Sequence, residues 1–378
     1  MDDKEVLEKI QSCKDCKVCM DVCDTYLATE DELKSPNGRL KIGEKIFQGG
    51  EISEDEIQGL YTCTLCGLCD LVCQMELPIS ELILSSKMKL VEQEKAPLGI
   101  HKKITQGIVE KNNSVGGEPE ERLDWIPEEF KDEVDFEDSD SDTLLYLGCM
   151  SSFRVKESAA ASFELLKRAG YDFKILRDEP CCGEYVYSSG NLDLAKKMFQ
   201  ENFEQFKKQG VKTLIVTCAG CFYAFNNVYP KYLEGYDLKV RHIVQIVHEL
   251  VSKGKLKFKY TDKSKTLTYH DACRMGRKIK GMDVYEEPRE LLNGCAQILE
   301  LSKTKVDTPC CGAGSGIRGV DSALTIKIGS QILEEMKTEQ IVSACPLCVF
   351  NYRYVNYKQQ MDKKARYITD ILLESLEK

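Results

Sequence analysis

The feature that most constrains this chain is a tetrapeptide used twice, Pro180-Cys181-Cys182-Gly183 and Pro309-Cys310-Cys311-Gly312. The same frame surrounds each copy, with one cysteine upstream (Cys149, Cys273) and a CxxC pair downstream (Cys218 with Cys221, Cys345 with Cys348). Adjacent residues of an extended chain point to opposite sides, so both cysteines of a doublet reach one centre only if the flanking proline and glycine turn the backbone. Each frame gathers five thiols. A cubane iron-sulfur cluster takes four thiolates, and so does a structural zinc. The fifth is either a bystander or the mark of a cluster that is not a simple cubane, with one thiolate bridging two irons. Zinc held by four of the five and a vicinal redox disulfide are the plainer alternatives. Both are disfavoured because every member of the frame recurs in both copies.

Eight more cysteines stand near the start, as CKDCKVCMDVC (Cys13, Cys16, Cys19, Cys23) and CTLCGLCDLVC (Cys63, Cys66, Cys69, Cys73). CxxCxxCxxxC twice is the spacing of a two-cluster bacterial ferredoxin, in which the fourth cysteine of each run ligates the other cluster. Cluster one is then expected on Cys13, Cys16, Cys19 and Cys73, and cluster two on Cys63, Cys66, Cys69 and Cys23. The fourth cysteine is expected at the start of a helix whose amides stabilise the anionic cluster. The proline that usually follows it is replaced by Asp24 and Gln74. A pair of four-thiolate zinc sites is the alternative, but zinc ribbons use two CxxC pairs per metal, and this spacing does not match them.

At 378 residues the chain exceeds one typical domain. Its 52 basic and 62 acidic residues leave a net charge of -10, which argues against nucleic acid as a partner. MDDKEVLEKI shows no basic region followed by an apolar stretch, so no secretory signal is expected. All of the nineteen cysteines but Cys295 are therefore read as metal ligands of a cytoplasmic protein rather than as disulfides. The longest apolar stretch, near Thr213 to Phe225, is too short to cross a bilayer, so any association with the inner face of the membrane must come through a partner.

Four regions are expected. Residues 1–95 form a helical two-cluster ferredoxin domain, with helical periodicity near Ile42 to Phe47 and Asp55 to Leu60. Residues 96–142 form a connecting helix, broken from its predecessor at Pro97 and Gly99, and an acidic linker that Leu123, Trp125, Ile126 and Phe130 pin in part. Residues 143–255 and 266–378 form two α/β modules with small parallel sheets and flanking helices, an internal duplication joined by the lysine-rich stretch Lys253 to Lys265. In the first module, strands are expected at Leu144 to Leu147, Phe173 to Leu176 and Lys212 to Thr217, with helices over Val155 to Ala169 and Leu192 to Gln209. The second repeats this with strands at Thr266 to His270, Gln297 to Leu301 and Gln340 to Ser343. Each module finishes with a helix, RHIVQIVHELV from Arg241 and RYITDILLESL from Arg366. The cysteines fall at strand C-terminal ends, where open α/β sheets place their sites. Approximate two-fold symmetry would bring the two cysteine faces towards each other.

These residues carry a resemblance. The frame C…CCG…CxxC, twice, behind two ferredoxin runs, resembles the iron-sulfur catalytic subunit of membrane-linked heterodisulfide reductase, in a wider family that includes the iron-sulfur subunits of glycolate and lactate oxidases. The likeness runs through Ser35-Pro36-Asn37-Gly38-Arg39, CCGEY, TCAGCFYAF with Tyr229-Pro230, His270-Asp271-Ala272-Cys273-Arg274-Met275-Gly276-Arg277, CCGAGSG and SACPLCVFN. The family usually has Pro where Ala272 stands and Gly where Ser315 stands. The resemblance implies noncubane [4Fe-4S] clusters on Cys149, Cys181, Cys182, Cys218 and Cys221 and on Cys273, Cys310, Cys311, Cys345 and Cys348. With the ferredoxin pair, four clusters are expected, and no flavin or nicotinamide in this chain. It also implies reduction of a small disulfide, with the coenzyme M and coenzyme B heterodisulfide as the type substrate. The electron donor would be a membrane cytochrome b or an FAD flavoprotein.

Gly314-Ser315-Gly316-Ile317-Arg318-Gly319 formally matches GxGxxG, but it follows a cysteine turn and not a strand. Amides of Gly183, Gly312 and Gly314 are better read as donors to cluster sulfurs. His270 is a candidate proton donor to a product thiolate, with a buried supporting histidine as the plainer reading. Arg274, Arg277 and Arg318 would either bind an anionic substrate group or offset cluster charge. Cys295 belongs to no frame and is read as a packed thiol. Two other functions compete: electron transfer for an FAD-dependent 2-hydroxyacid oxidase, and a zinc-stabilised scaffold without redox activity.

Overall fold

The structure, a computed structural model, describes residues 1–259, 265–279 and 281–377. Part of the expected joint, residues 260–264, lies outside them. Two compact units divide the chain. One comprises Met1–Thr105, Tyr185–Ala195 and Pro309–Ile332, and the other Gln106–Glu184, Lys196–Thr308 and Leu333–Lys378.

The first unit is helical. Pro36–Phe47 starts where the sequence dictates: Pro36 occupies the first helical position, and Ser35 caps it by accepting the Gly38 N–H at 2.9 Å. Glu54–Tyr61 opens on a reciprocal cap between Ser53 and Glu56. Ile79–Glu92 packs closely on Pro36–Phe47 because Gly43 lacks a side chain; a Cβ there would come 2.6 Å from Ser86 Oγ. His101 is fully buried, with Nδ1 2.8 Å from the Tyr185 hydroxyl and its ring 4.9 Å from that of Tyr61.

The second unit carries the α/β modules. Thr143–Tyr146 (β1), Thr213–Val216 (β2) and Lys239–His242 (β3) form a parallel sheet in the order β1-β2-β3. Thr266–His270 (β4), Gln297–Ile298 (β5), Gln340–Ser343 (β6) and Lys364–Tyr367 (β7) form another in the order β5-β4-β6-β7, also parallel. Thr-Leu-Leu-Tyr in β1 is buried throughout, as expected of a strand covered on both faces. Lys156–Arg168 and Leu192–Lys208 are crossover helices of the first module, since parallel neighbours cannot be joined by a tight turn.

Two expectations are corrected. Phe173 to Leu176 makes only an isolated bridge, Lys174 beside Leu144; the third strand of the first sheet is β3, after the CxxC pair. Arg241-His242 and Arg366-Tyr367 do not start the final helices but complete β3 and β7. For His242 the physical reason is capping. The His242 ring accepts the Val244 N–H while Gln245 reaches back to the His242 N–H, which holds His242 extended at the helix start. The acidic segment 116–142 is pinned as its apolar residues suggested: Trp125 is buried edge-on against Phe163, ring centres 5.5 Å apart, and Phe130 meets the same ring. Among the described residues no helix is long and apolar enough to cross a membrane.

Burial, and secondarily the charge of Lys87, push His101 down to about 4. An unfolded histidine titrates near 6.5. Below that pH the unfolded chain takes up a proton that the folded one refuses, so this stability is complete above 6.5 and is lost as pH falls towards 4. The loss amounts to about 3 kcal/mol over that interval. Urea midpoints measured across it should fall for the wild type, and His101→Gln should remove most of the slope.

Candidate metal centres and their supports

In the first unit, one hollow is lined by Cys23, Cys63, Cys66 and Cys69, the four thiols assigned from sequence to cluster two. Burial, Asp70 and the thiols of Cys66, Cys63 and Cys23 push Cys69 well up. The loop that brings three of these together needs left-handed backbone at Leu65 and Gly67. Arg39, 1% exposed, stands over the same hollow: it donates to Gly59 O at 2.9 Å and to the Thr25 and Thr62 hydroxyls, with Nη1 3.9 Å from Cys23 Sγ.

The other dicluster set differs in exposure. Cys19 is buried, Cys13 and Cys73 are partly covered, and Cys16 is exposed. Burial, then the thiols of Cys13, Cys23 and Cys16, push Cys19 up to about 12. Cys73 follows the short helix Leu68–Val72, which packs on the turn Val18–Met20 that carries Cys19. The fourth cysteines are not alike: Cys23 caps the N-terminus of Asp24–Leu27 as expected, whereas Cys73 ends a helix instead of starting one. Helix Leu68–Val72 forms because the loop after Cys66 turns left-handed at Gly67 and its five residues are used up before Cys73.

In the second unit, thiols form a continuous chain of contacts. Cys149 meets Cys181, its doublet neighbour Cys182 lies 3.4 Å from Cys221 Sγ, and Cys221 meets Cys218. The first quintet is thus brought together. The chain continues across modules, since Cys218 hydrogen-bonds Cys345, and Cys345 meets Cys348. Both CxxC pairs follow a strand, and Cys218 and Cys345 cap the helices Ala219–Tyr223 and Pro346–Gln359. Beside this contact, Arg274 of the second module forms a buried 2.6 Å ion pair with Glu184 of the first and lies over the Tyr223 ring. Thr217 O receives the Tyr367 hydroxyl at 2.6 Å, and His242 Nε2 stands 3.2 Å from it, so β3 and β7 converge on the strand end before Cys218. Cys310 and Cys311 belong to the first unit, and Cys273, Cys345 and Cys348 to the second.

Buried polar groups hold the first doublet. Tyr146 donates to Pro180 O at 2.6 Å, Asn202 to Cys181 O at 2.8 Å and Tyr229 to Cys182 O at 3.2 Å, so three consecutive carbonyls of the turn are satisfied. Wide i→i+5 turns over Ala224–Val228, a geometry frequent at functional sites, precede Tyr229. Gly183 and Gly312 both have positive φ, 72° and 83°, which explains the glycine after each doublet.

A carboxylate clip recurs with its parts exchanged. In the first module Glu179, ahead of the doublet, accepts the N–H groups of Leu147 and Gly148 at 2.8 and 2.7 Å and pairs with Arg122 at 3.5 Å. It thereby ties the segment before Cys149 to the segment before Cys181. In the second, Asp271 stands on the other side, two residues before Cys273; it accepts Arg289 through two 2.8 Å bonds and the Lys305 N–H at 2.7 Å. Sequence reasoning missed Glu179, Arg122, Asn202 and Arg289. The only signal available for them was charge or amide at positions otherwise reading as core.

Arg277 donates to Val306 O and Thr308 O at 2.7 and 2.8 Å, on the backbone leading to the second doublet. His270 is 1% exposed at the end of β4, edge-on to Tyr352. Cys295 is fully buried and meets Leu291 O.

The all-sulfur donor set can be tested for fit by its own ionisation. Hydrogen bonds from Cys181 and Cys221 pull Cys182 down to about 6, and those of Cys218 and Cys348 pull Cys345 down; Cys149 and Cys221, through their bonds to Cys181 and Cys182 and through burial, are pushed well up. Protons therefore hold part of this array together. Iron would replace those protons, because the thiolate is the ligand and metal binding releases the proton. No three described His, Cys, Asp or Glu side chains enclose a point for a single ion; the thiols run as a chain and not as a tetrahedron.

Comparison with known proteins agrees with this reading. Residues 143–226 and 267–353 each match the cysteine-rich domain named CCG, and residues 9–77 match the 4Fe-4S dicluster domain. The chain is 27% identical to the D-type subunit of dihydromethanophenazine:CoB--CoM heterodisulfide reductase from Methanosarcina mazei, over 98% of this chain and 95% of that protein. Its counterpart from Methanosarcina acetivorans is 29% identical over 91% of this chain and 88% of that one. The EtfAB:quinone oxidoreductase of Syntrophomonas wolfei is 31% identical over 77% of this chain, which matches 42% of that longer protein. The chain belongs to the CCG-domain iron-sulfur oxidoreductases, and the D-type heterodisulfide reductase proteins are its relatives over nearly the full length.

Removing the clip should be expensive. Glu179→Ala leaves Arg122 buried without its carboxylate and two N–H groups without an acceptor, so it should lower stability by about 3–5 kcal/mol. Lys156→Ala, which breaks the exposed pair with Asp124, should change it by under about 1 kcal/mol. Denaturant unfolding of both variants checks the contrast.

Proposed function

We propose that this chain is the catalytic iron-sulfur subunit of a disulfide reductase. Cys13, Cys16, Cys19 and Cys73 would hold one [4Fe-4S] cubane, and Cys63, Cys66, Cys69 and Cys23 the other. Cys149, Cys181, Cys182, Cys218 and Cys221 would hold one noncubane cluster, and by the repeated frame Cys273, Cys310, Cys311, Cys345 and Cys348 a second. The substrate is a small disulfide, with the coenzyme M and coenzyme B heterodisulfide as its type, and the donor is a separate protein, a membrane cytochrome b or an FAD flavoprotein.

The observation that carries this reading is the contact between Cys218 and Cys345, with the Arg274–Glu184 pair beside it. Splitting a disulfide takes two electrons, and bound clusters supply them singly. Two modules whose ligand ends meet bring two such sources to one place. The chain's own residues keep that place fixed: the clip at Glu179 and the donors to the doublet carbonyls hold the thiols, and the buried Arg274–Glu184 pair links the modules without adding net charge. Arg274 is thus engaged by a carboxylate, which supports a structural role for it over binding an anionic substrate.

A second reading is a pure electron relay, serving an FAD-dependent 2-hydroxyacid oxidase or a comparable flavoprotein. The likeness to EtfAB:quinone oxidoreductase favours it. The two separate by experiment. Anaerobically purified protein should contain about sixteen irons, four per cluster, and EPR of the oxidised protein should gain a new signal when substrate thiols are added. Cys311→Ala should remove one unusual signal and leave those of the dicluster domain. Thiols without effect on any signal would favour the relay, and an iron content near zero would overturn both.

A further inference from the structure

The dicluster domain and the second cysteine doublet fold together within the first unit, and three contacts join them. Asp24 Oδ2 accepts the N–H of Cys310 at 2.8 Å, and Asp24 directly follows Cys23. Gly314 lies so close to Thr64 that a Cβ would come 2.5 Å from the Thr64 carbonyl oxygen, and Thr64 directly follows Cys63. Between them stands Lys87, with no exposed surface, which donates to Cys63 O at 3.3 Å and to Ser315 Oγ at 3.0 Å over the face of the Tyr61 ring. Two thiols lining the inner hollow, Cys23 and Cys63, are thereby one residue and one contact away from the turn that begins at Cys310.

The residues at this junction are unusual for their positions. Asp24 replaces the proline that commonly follows the fourth cysteine, and a proline has no side-chain acceptor for the Cys310 N–H. Ser315 accepts from Lys87 and passes its own hydrogen to Ser188 O at 3.1 Å. A buried ammonium costs several kcal/mol unless negative charge nearby offsets it. His101 in the same cluster is held neutral, by burial first and by Lys87 second, so it does not share the charge. A cluster on the Cys63 side gains one negative charge on reduction, and that charge would be stabilised by Lys87.

We propose that Lys87 is the fixed positive charge that sets the reduction potential of the cluster on Cys23, Cys63, Cys66 and Cys69, at the junction where the dicluster domain meets the turn at Cys310 and Cys311. This inference rests on the cluster assignments proposed above.

The test uses the full chain, purified anaerobically, with iron content measured first. In an EPR-monitored redox titration, Lys87→Met should make reduction of the cluster on Cys23, Cys63, Cys66 and Cys69 about tenfold less favourable, a fall of 59 mV for one electron. The cluster on Cys13, Cys16, Cys19 and Cys73 should keep its potential, and Lys87→Arg should restore the first one. Unmoved potentials in Lys87→Met, or equal shifts in both dicluster signals, would overturn the role of Lys87. Iron-free wild-type protein would overturn the cluster reading itself.

Discussion

Sulfur donors crowded in a protein interior cannot all carry their charge unaided. Burial disfavours each thiolate, and every thiolate formed disfavours the next. In the second unit this conflict is visible as a run of thiols from Cys149 to Cys348, in which Cys182 and Cys345 are favoured as anions because their neighbours keep their protons. A metal cluster would resolve the conflict by taking the protons' place. The surrounding protein must then hold the sulfurs where the cluster needs them, since the turn Pro180-Cys181-Cys182-Gly183 has no ladder of its own to fix it. Tyr146, Asn202 and Tyr229 meet that need by satisfying three successive carbonyls.

The carboxylate clips answer the same requirement at longer range. The two segments that deliver the upstream cysteine and the doublet are paired only at their starts, through the Leu144–Lys174 bridge in one module and β4 with β5 in the other. Glu179 and Asp271 each bridge such a pair with backbone N–H groups on one side and an arginine on the other. The acid sits before the doublet in one module and before the upstream cysteine in the other. Duplicated modules facing one mechanical problem have thus kept the bond type and exchanged its ends.

Much of the architecture was legible because its signals are local. Ser35-Pro36 and Ser53 with Glu56 announce helix starts, and apolar runs such as Leu144 to Tyr146 and Ile341 to Val342 announce buried strands. The doublets, the CxxC pairs and the ferredoxin spacing picked out the thiols that line the hollow at Cys23, Cys63, Cys66 and Cys69 and those that run in contact from Cys149 to Cys348. What could not be read was set by distant partners. Lys-Val-Arg-His and Lys-Ala-Arg-Tyr are too short and polar to look like strands, and they become strands because β2 and β6 offer edges to pair with. Arg122, in a segment that reads as a solvated acidic linker, is buried because Glu179 awaits it. Nor does the order of motifs along the chain announce that Pro309–Ile332 folds with the dicluster domain.

That last placement bears on why the two copies differ. Two modules built to one plan would be expected to hold their doublets with the same bonds. Yet the second doublet has partners in the dicluster domain that are specific in chemistry: a carboxylate to one amide, a glycine against one carbonyl, and a buried ammonium on one hydroxyl. The first doublet is held instead by Tyr146, Asn202 and Tyr229, all from the α/β unit. A polar contact in a dry interior is costly when incomplete and strong when complete, so each set tolerates little substitution. The two supports differ in origin, since the second doublet leans on the dicluster domain within the first unit whereas the first is fixed by Glu179, Tyr146, Asn202 and Tyr229 of the α/β unit, so the two turns answer to different neighbours.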